Sequence, residues 1–226
     1  MKTALLLFLA LNGAAFAAQA EDTKGDPAKG AGKAAMCIGC HGIAGYQATF
    51  PEVYRVPMIA GQSQKYIVAA LTEYQKGDRK HPSMRGIATS LGAQDMADLG
   101  AYYEQLGKSN GAAAPPAAAA PAPDALKDRL AACVACHGPN FSAPIDPSYP
   151  RLAGQHADYL FAALKSYQVD GNPVYGRSNA LMRGQLVQDA GGKPKYTFTH
   201  AELKSVAAYL ASLPGELKTV PQPHLR

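Results

Sequence analysis

Cysteine is scarce in the sequence, and it is confined to two short segments. The 226 residues contain four cysteines, and all of them lie in MCIGCHG, residues 36–42, and ACVACHG, residues 132–138. Because no cysteine is left outside these segments, cysteine ligation of any further metal or cofactor position is excluded. The two segments, each a Cys-x-x-Cys followed by histidine, must therefore account for the chemistry of all four thiols.

Three other features are missing. No run of basic residues resembles a nucleic-acid-binding arm, and the net charge of +5 arises from mixed acidic and basic residues. After the first twenty residues, no apolar segment is long enough to span a membrane. Convincing strand alternation is also lacking, apart from KYTF at 195–198, whereas apolar residues recur at helical spacing. The sequence therefore predicts a soluble all-α protein that does not bind nucleic acid.

Each half of the sequence is expected to consist of helices joined by long loops. Asp26 before Pro27, Ser63 and Thr199 are suited to cap helices, the last as a capping box with Glu202. Small helical domains bury little apolar area, so a loop-rich one usually needs a covalent link or a cofactor for stability.

Residues 1–20 have the pattern of a secretory signal peptide. Lys2 precedes a short apolar stretch, and AQA at 18–20 supplies small residues where such peptides are cleaved. A transmembrane anchor is the alternative, but the apolar stretch is too short for one. Export is therefore expected, and in an oxidising compartment the Cys-x-x-Cys pairs would become disulfides unless another reaction consumed the thiols.

The chain contains two copies of one domain. Besides the cysteine segments, AGQ at 60–62 recurs at 153–155 and MRG at 84–86 recurs at 182–184, in the same order. The stretch between the copies is almost only Ala, Pro, Gly and Ser, which is typical of a spacer. We expect a first domain over 21–106, an Ala/Pro-rich linker over 107–123, and a second domain over 124–226 with an insertion of its own at 185–200.

The spacing of the cysteine segments fits several kinds of site, of which one explains all of their residues. A structural zinc site usually needs two such pairs close together in one domain, and a thioredoxin-like pair needs a βαβ context. A disulfide between residues three apart closes a very small loop and stabilises little. Cys-x-x-Cys-His is the attachment pattern of haem c. Cys37, Cys40, Cys133 and Cys136 are therefore predicted to bind two covalent haems.

The histidine of each segment, His41 or His137, would be one axial ligand of its haem iron. Met84 and Met182 are the methionines that occupy matching places in both copies, each in a loop before the last helix. A methionine there closes the iron and suits electron transfer. We therefore expect His41 with Met84, and His137 with Met182, as metal ligands. Packing or surface roles are expected for the residues without a counterpart, which are Met36, Met58, Met96, His81 and His156.

With these motifs the sequence resembles the cytochrome c4 family, periplasmic dihaem electron carriers built from two class I cytochrome c domains. The resemblance also includes PMIAGQ at 57–62, PRLAGQ at 150–155 and the closing AYY and AYL helices. It implies the same axial ligands, and it implies that the carbonyls of Pro57 and Pro150 accept hydrogen bonds from the two proximal histidines. The linker and the 185–200 insertion depart from the family pattern.

The function expected from these features is that of an electron carrier and not of an enzyme. Its partners would be redox proteins, for example a quinol-oxidising complex as donor and a terminal oxidase as acceptor, and no small-molecule substrate is expected. The protein would be periplasmic, with peripheral association at the membrane surface left open.

Two alternatives share the architecture. The chain could be the dihaem cytochrome subunit of a dehydrogenase, such as a flavocytochrome c sulfide dehydrogenase. It could instead be an enzyme, a dihaem peroxidase or a thiosulfate dehydrogenase. A peroxidase needs an iron that can open, and the matching methionines argue against that.

Overall fold

The computed structural model describes residues 23–109 and 121–221, in two halves that each place five helices in the same order. The predicted signal peptide and residues 110–120 of the predicted linker lie outside the described residues. The helices of the N-terminal half are α1 (Pro27–Lys33), α2 (Ala35–His41), α3 (Gln64–Lys76), α4 (Pro82–Ala88) and α5 (Ala93–Ser109). Those of the C-terminal half are α6 (Asp124–Lys127), α7 (Ala131–His137), α8 (Ala157–Ser166), α9 (Ala180–Leu186) and α10 (His200–Ser212).

Short strands form three antiparallel pairs among the described residues. The strands are β1 (Gln47–Ala48), β2 (Tyr54–Arg55), β3 (Arg79–Lys80), β4 (Gly176–Arg177), β5 (Val187–Asp189) and β6 (Pro194–Tyr196). The pairs β1–β2 and β5–β6 are local, and the second forms a hairpin inside the 185–200 insertion, where β6 overlaps the KYTF segment. The third pair, β3 with β4, joins the two halves. With no larger sheet in the described part of the chain, the all-α prediction is confirmed.

The predicted helix caps are present. The Asp26 carboxylate accepts hydrogen bonds from the first amides of α1, and the Ser63 hydroxyl accepts one from the Tyr66 amide in α3. Thr199 and Glu202 form the reciprocal capping box at the start of α10. Because these side chains satisfy amides that have no partner within the helix, they fix where each helix begins.

The last helix of the N-terminal half extends into the segment predicted as linker. α5 continues to Ser109, beyond the expected domain limit at residue 106. Gly107 lies so close to the backbone of Gly61 that a Cβ atom at Gly107 would collide with it. Glycine therefore allows α5 to pack against the AGQ loop, and an ion pair of 2.9 Å between Lys108 and Glu104 supports the extra turn.

Each half has its own apolar core, built mainly where its last helix, α5 or α10, packs against α3 or α8. Burial of each large apolar side chain in such a core stabilises the fold by about 1.5–3 kcal/mol. The N-terminal core contains Ile67, Val68, Leu71, Leu91, Met96, Leu99 and Tyr103. The C-terminal core contains Leu126, Leu130, Phe141, Leu160, Val206, Leu210 and Leu213.

The two halves meet around a pseudo-two-fold axis. In the β3–β4 pair, Arg79 lies opposite Arg177, and these two arginines occupy equivalent places ahead of the two MRG motifs. A residue that pairs with its own equivalent marks the axis of an isologous contact. Further hydrogen bonds surround it, among them Arg55 Nε to Asp158 Oδ2 at 2.9 Å and the Ser178 amide to the Asp78 carbonyl at 2.8 Å.

The AGQ loops lie at this interface, and each is anchored on the last helix of its own half. The Gly61 amide donates to the Tyr103 carbonyl at 2.9 Å, and the equivalent Gly154 amide donates to the Leu210 carbonyl at 3.0 Å. The glutamine that ends each loop is directed across the interface into the other half.

Over residues 23–109 and 121–221, no helix is both long enough and apolar enough to cross a bilayer.

Candidate functional site

The two Cys-x-x-Cys-His segments form two short helices of equal length. α2 and α7 each span seven residues and end at the histidine. All four thiols are free, and no cluster of three or more His, Cys, Asp or Glu side chains in the described ranges is arranged to hold a metal ion. The disulfide and zinc interpretations therefore have no support in the geometry, whereas two thiols on one helical turn beside a histidine suit haem attachment.

The histidines are held in a single orientation. His41 Nδ1 lies 2.8 Å from the carbonyl oxygen of Pro57, and His137 Nδ1 lies 3.0 Å from that of Pro150. A carbonyl can only accept, so Nδ1 carries the proton and Nε2 keeps its lone pair. Burial lowers the pKa of both rings, which keeps them neutral at pH 7. A neutral ring with a free Nε2 lone pair is the form that ligates iron.

The two methionines lie in helices and not in loops, which corrects the sequence prediction. Met84 is in α4, where Pro82 occupies the first turn and has the backbone angle that a helix start requires. Met182 is in α9, where the Asn179 side chain accepts from the Met182 amide at 3.2 Å. These starts were missed because glycine and serine nearby favour loops.

The structure brings some of the predicted site residues together and leaves one apart. Met84 and Cys37 both pack against the N-terminal core, as do Ile38 and Ile59. Cys133 likewise packs against the C-terminal core. Met182 is partly buried on α9 and is not among the side chains grouped with that core in the described residues.

The residues weighed as alternative ligands have other surroundings. Met96 is 3% exposed inside the N-terminal core, whereas Met36 is 48% exposed. His81 precedes α4 and packs edge-on to Phe50 with 5.9 Å between ring centroids, and its ring nitrogens have no hydrogen-bond partner among the described residues. The His156 amide donates to Gln155 ahead of α8.

Sequence reasoning missed a group of arginines and tyrosines at the pseudo-two-fold axis. Arg79 is 5% exposed, and its guanidinium donates to Tyr66 at 3.1 Å and to Tyr159 at 2.7 Å. Arg177 donates to the same Tyr159 hydroxyl at 3.3 Å. Within the described ranges neither guanidinium has a carboxylate at ion-pair distance, and Arg79 Nε has no hydrogen-bond partner.

The electrostatics of this group favour an anion. Burial alone would raise the pKa of Tyr159, but the two guanidiniums outweigh it and lower that pKa to about 8. Arg79 is buried and Arg177 is half-buried, and cations removed from water in this way are costly unless a negative group pairs with them. The duplicated arginines were visible in the sequence, but only the fold shows that they meet.

Comparisons with known proteins agree with this geometry. A family model described as Cytochrome c matches residues 110–214. A cytochrome c4 of Azotobacter vinelandii is 35% identical over 192 residues, which cover 79% of this chain and 86% of the relative. The chain belongs to the cytochrome c4 family. It is a c-type cytochrome of electron transfer, and covalently bound haem c is its cofactor.

Structural similarity extends over both halves of the cytochrome c4 architecture. The crystal structure of reduced recombinant cytochrome c4 from Pseudomonas stutzeri superposes with a TM-score of 0.58 at 25% identity, covering 84% of this chain and 99% of that chain. A protein of Thiomonas intermedia (strain K12) named as a thiosulfate dehydrogenase electron acceptor is 31% identical over 192 residues, 80% of each chain. The prediction of two tandem cytochrome c domains is thereby confirmed.

Proposed function

We propose that the chain is an exported, periplasmic dihaem carrier that passes single electrons between respiratory proteins. The observation that carries the proposal is the repeated pair of a Cys-x-x-Cys-His helix and a proline carbonyl that orients its histidine. Haem c, when bound, supplies an iron that accepts and releases one electron. The boundaries proposed for its parts are a signal peptide over 1–20, domains over 21–106 and 124–226, and a linker over 107–123, of which residues 107–109 form the end of α5.

The residues of each half fit this cofactor. Cys37 and Cys40, and likewise Cys133 and Cys136, would form the two thioether links of one haem from a single helical turn. His41 with Met84, and His137 with Met182, would be the axial ligands. With a histidine nitrogen and a methionine sulfur as its protein ligands, the iron would have no open position, which would favour electron transfer over catalysis and raise the reduction potential.

Two arginines at the junction of the halves offer a second reason that haem fits. Haem carries carboxylate side chains, and within the described residues Arg79 and Arg177 donate to tyrosine hydroxyls but have no carboxylate at ion-pair distance. Guanidinium and carboxylate form strong charge-assisted hydrogen bonds. We infer that these arginines would pair with haem carboxylates and thereby hold the two cofactors toward the pseudo-two-fold axis.

The partners would be redox proteins that dock briefly. Apolar side chains flank both attachment segments, with Ile43 45% and Ile145 71% exposed, and electron-transfer contacts are small, weak and salt-sensitive. A quinol-oxidising complex and a terminal oxidase are the proposed donor and acceptor. Since a relative at 31% identity is named as a thiosulfate dehydrogenase electron acceptor, a thiosulfate dehydrogenase is the second candidate donor.

The test is the visible and near-infrared spectrum of the exported protein, with haem counted per chain. We expect two low-spin haems c and, in the oxidised protein, the charge-transfer band of methionine-ligated iron. A high-spin component or a missing methionine band would reject closed ligation at one iron and favour an enzyme. Co-purification with a flavoprotein would favour the dehydrogenase-subunit alternative.

A further inference from the structure

The peptide group that orients each proximal histidine also bonds to the opposite half of the molecule. The carbonyl of Pro57 accepts from His41, and the amide of the same peptide unit, that of Met58, donates to Gln155 Oε1 at 3.0 Å. One peptide plane therefore connects a histidine of the N-terminal half with a glutamine of the C-terminal half.

The same arrangement occurs in the reverse direction. The carbonyl of Pro150 accepts from His137, and the amide of Arg151 in that peptide unit donates to Gln62 Oε1 at 2.9 Å. Gln62 and Gln155 are the equivalent third residues of the two AGQ motifs. The interface thus contains two crossed chains of hydrogen bonds, each from a histidine through a peptide to a glutamine of the other half.

Both glutamines are fixed in place. Each is 4% exposed, and each also donates from its Nε2, Gln62 to the Arg151 carbonyl at 3.1 Å and Gln155 to the Met58 carbonyl at 2.9 Å. With a donor and an acceptor both facing the glutamine, its amide can be oriented in one way only. The loops that carry them are anchored on α5 and α10.

A peptide that donates through its amide becomes a better acceptor at its carbonyl, since hydrogen bonds in a chain polarise one another. A stronger bond to Nδ1–H makes the imidazole a more basic ligand, and hydrogen bonds around a ligand are one of the means by which a protein sets the potential of its iron. A more basic histidine stabilises Fe(III) and lowers the reduction potential.

We propose that Gln62 and Gln155 are positioning residues that set the reduction potential of the haem in the opposite half. This inference rests on the proposed function, because it takes His41 and His137 as the proximal ligands. Gln62 acts on the haem of the C-terminal half, and Gln155 acts on that of the N-terminal half. Docking of the halves therefore lowers both potentials.

The test uses the full-length, haem-loaded protein with Gln62→Leu and Gln155→Leu, which remove the amide at similar volume. The potential of each haem is followed separately in a redox titration by NMR of its assigned methyl groups. We expect Gln62→Leu to raise the potential of the C-terminal haem more than that of the N-terminal haem, and Gln155→Leu to do the opposite. Amide hydrogen exchange at Arg151 should accelerate in Gln62→Leu.

The control is Ser178→Ala, which removes the contacts of the Ser178 hydroxyl with the Asp78 carbonyl and carboxylate across the interface, both at 3.2 Å, but leaves both hydrogen-bond chains intact. It should leave both potentials at the parent values. Equal shifts in the potentials of both haems, shifts confined to the substituted half, or no shift would each overturn the inference. If the parent spectrum is normal in that case, the proposed carrier function still stands. A parent protein without two His/Met haems would overturn both.

Discussion

Replacement of Asp98 should loosen the helix that carries the first attachment segment. Asp98 lies on α5 with its side chain fully buried, and its carboxylate accepts from the Asp26 amide at 2.9 Å, Lys33 Nζ at 2.6 Å and Gln94 Nε2 at 2.8 Å. These bonds hold α1 against α5, and α2 follows α1 directly. The C-terminal half has Ser205 at the equivalent position, so it has no carboxylate that could make the same hydrogen bonds there.

The loss in free energy of unfolding expected for Asp98→Ala depends on the three groups that no longer have the carboxylate as a hydrogen-bond partner. Gln94 is exposed and can turn to water, and Lys33 keeps its ion pair with Asp95 at 2.7 Å. The Asp26 amide loses its partner in a partly buried place, at a cost of about 1–3 kcal/mol. With the lost charge-assisted bond to Lys33, discounted because Lys33 is a third exposed, the free energy of unfolding should fall by about 3 kcal/mol.

The assay is urea unfolding of the haem-loaded protein, followed by far-UV circular dichroism and by hydrogen exchange at the amides of α1 and α5. For a domain of this size, m is about 2 kcal/mol/M, so the midpoint of the N-terminal half should fall by about 1.5 M. Asp95→Asn is the matched control, since that side chain is 37% exposed and a surface pair contributes about 0.5 kcal/mol. Equal midpoints for the two variants would refute the reasoning.

The remaining predictions concern pH and the haem sites. The hydrogen bonds from Lys33 and the Asp26 amide lower the pKa of Asp98 from 3.8 to about 2. The N-terminal half should therefore keep its full stability above about pH 4 and lose part of it between about pH 4 and pH 2, as measured by acid titration. In Asp98→Asn this loss of stability with falling pH should be smaller. Met182→Ala should keep both haems attached but open the second iron, so that cyanide or carbon monoxide binds faster than in the parent. The control Met36→Ala, at an exposed methionine, should bind neither of them faster. An unchanged binding rate for Met182→Ala would show that Met182 is not the ligand. Cys133→Ala should impair maturation of the C-terminal domain, and a variant with an unchanged haem content per chain would contradict the attachment proposed here.

The parts of the fold that the sequence predicted are those set by local interactions. The caps at Asp26, Ser63 and Thr199 depend on neighbours within three residues, and the Cys-x-x-Cys-His spacing is contained in one helical turn. Because the domain is duplicated, the two copies could be compared, and Met84 and Met182 are the methionines at matching positions in both. Their ligand role stays a prediction, although their helices were expected to be loops.

The rest depends on contacts between distant parts of the chain. Gln62 and Gln155 recur in the sequence, but a repeat cannot reveal that each reaches the peptide behind the other half's proline. Arg79 and Arg177 similarly look like ordinary surface cations until the β3–β4 pair brings them together. α5 extends into the segment predicted as linker because Gly107, which has no side chain, can pack closely against Gly61.

The self-pairing of Arg79 with Arg177 has a consequence for the origin of the molecule. A surface whose centre contacts its own equivalent can join two separate copies of a single domain, so a homodimer of one-haem proteins could already have possessed this interface. Fusion of the two genes then needed no new contact, because a covalent connection only raises the effective concentration of one half around the other. After fusion the copies were free to diverge, and features found in one half alone, such as Asp98 and the 185–200 hairpin, belong to that later history.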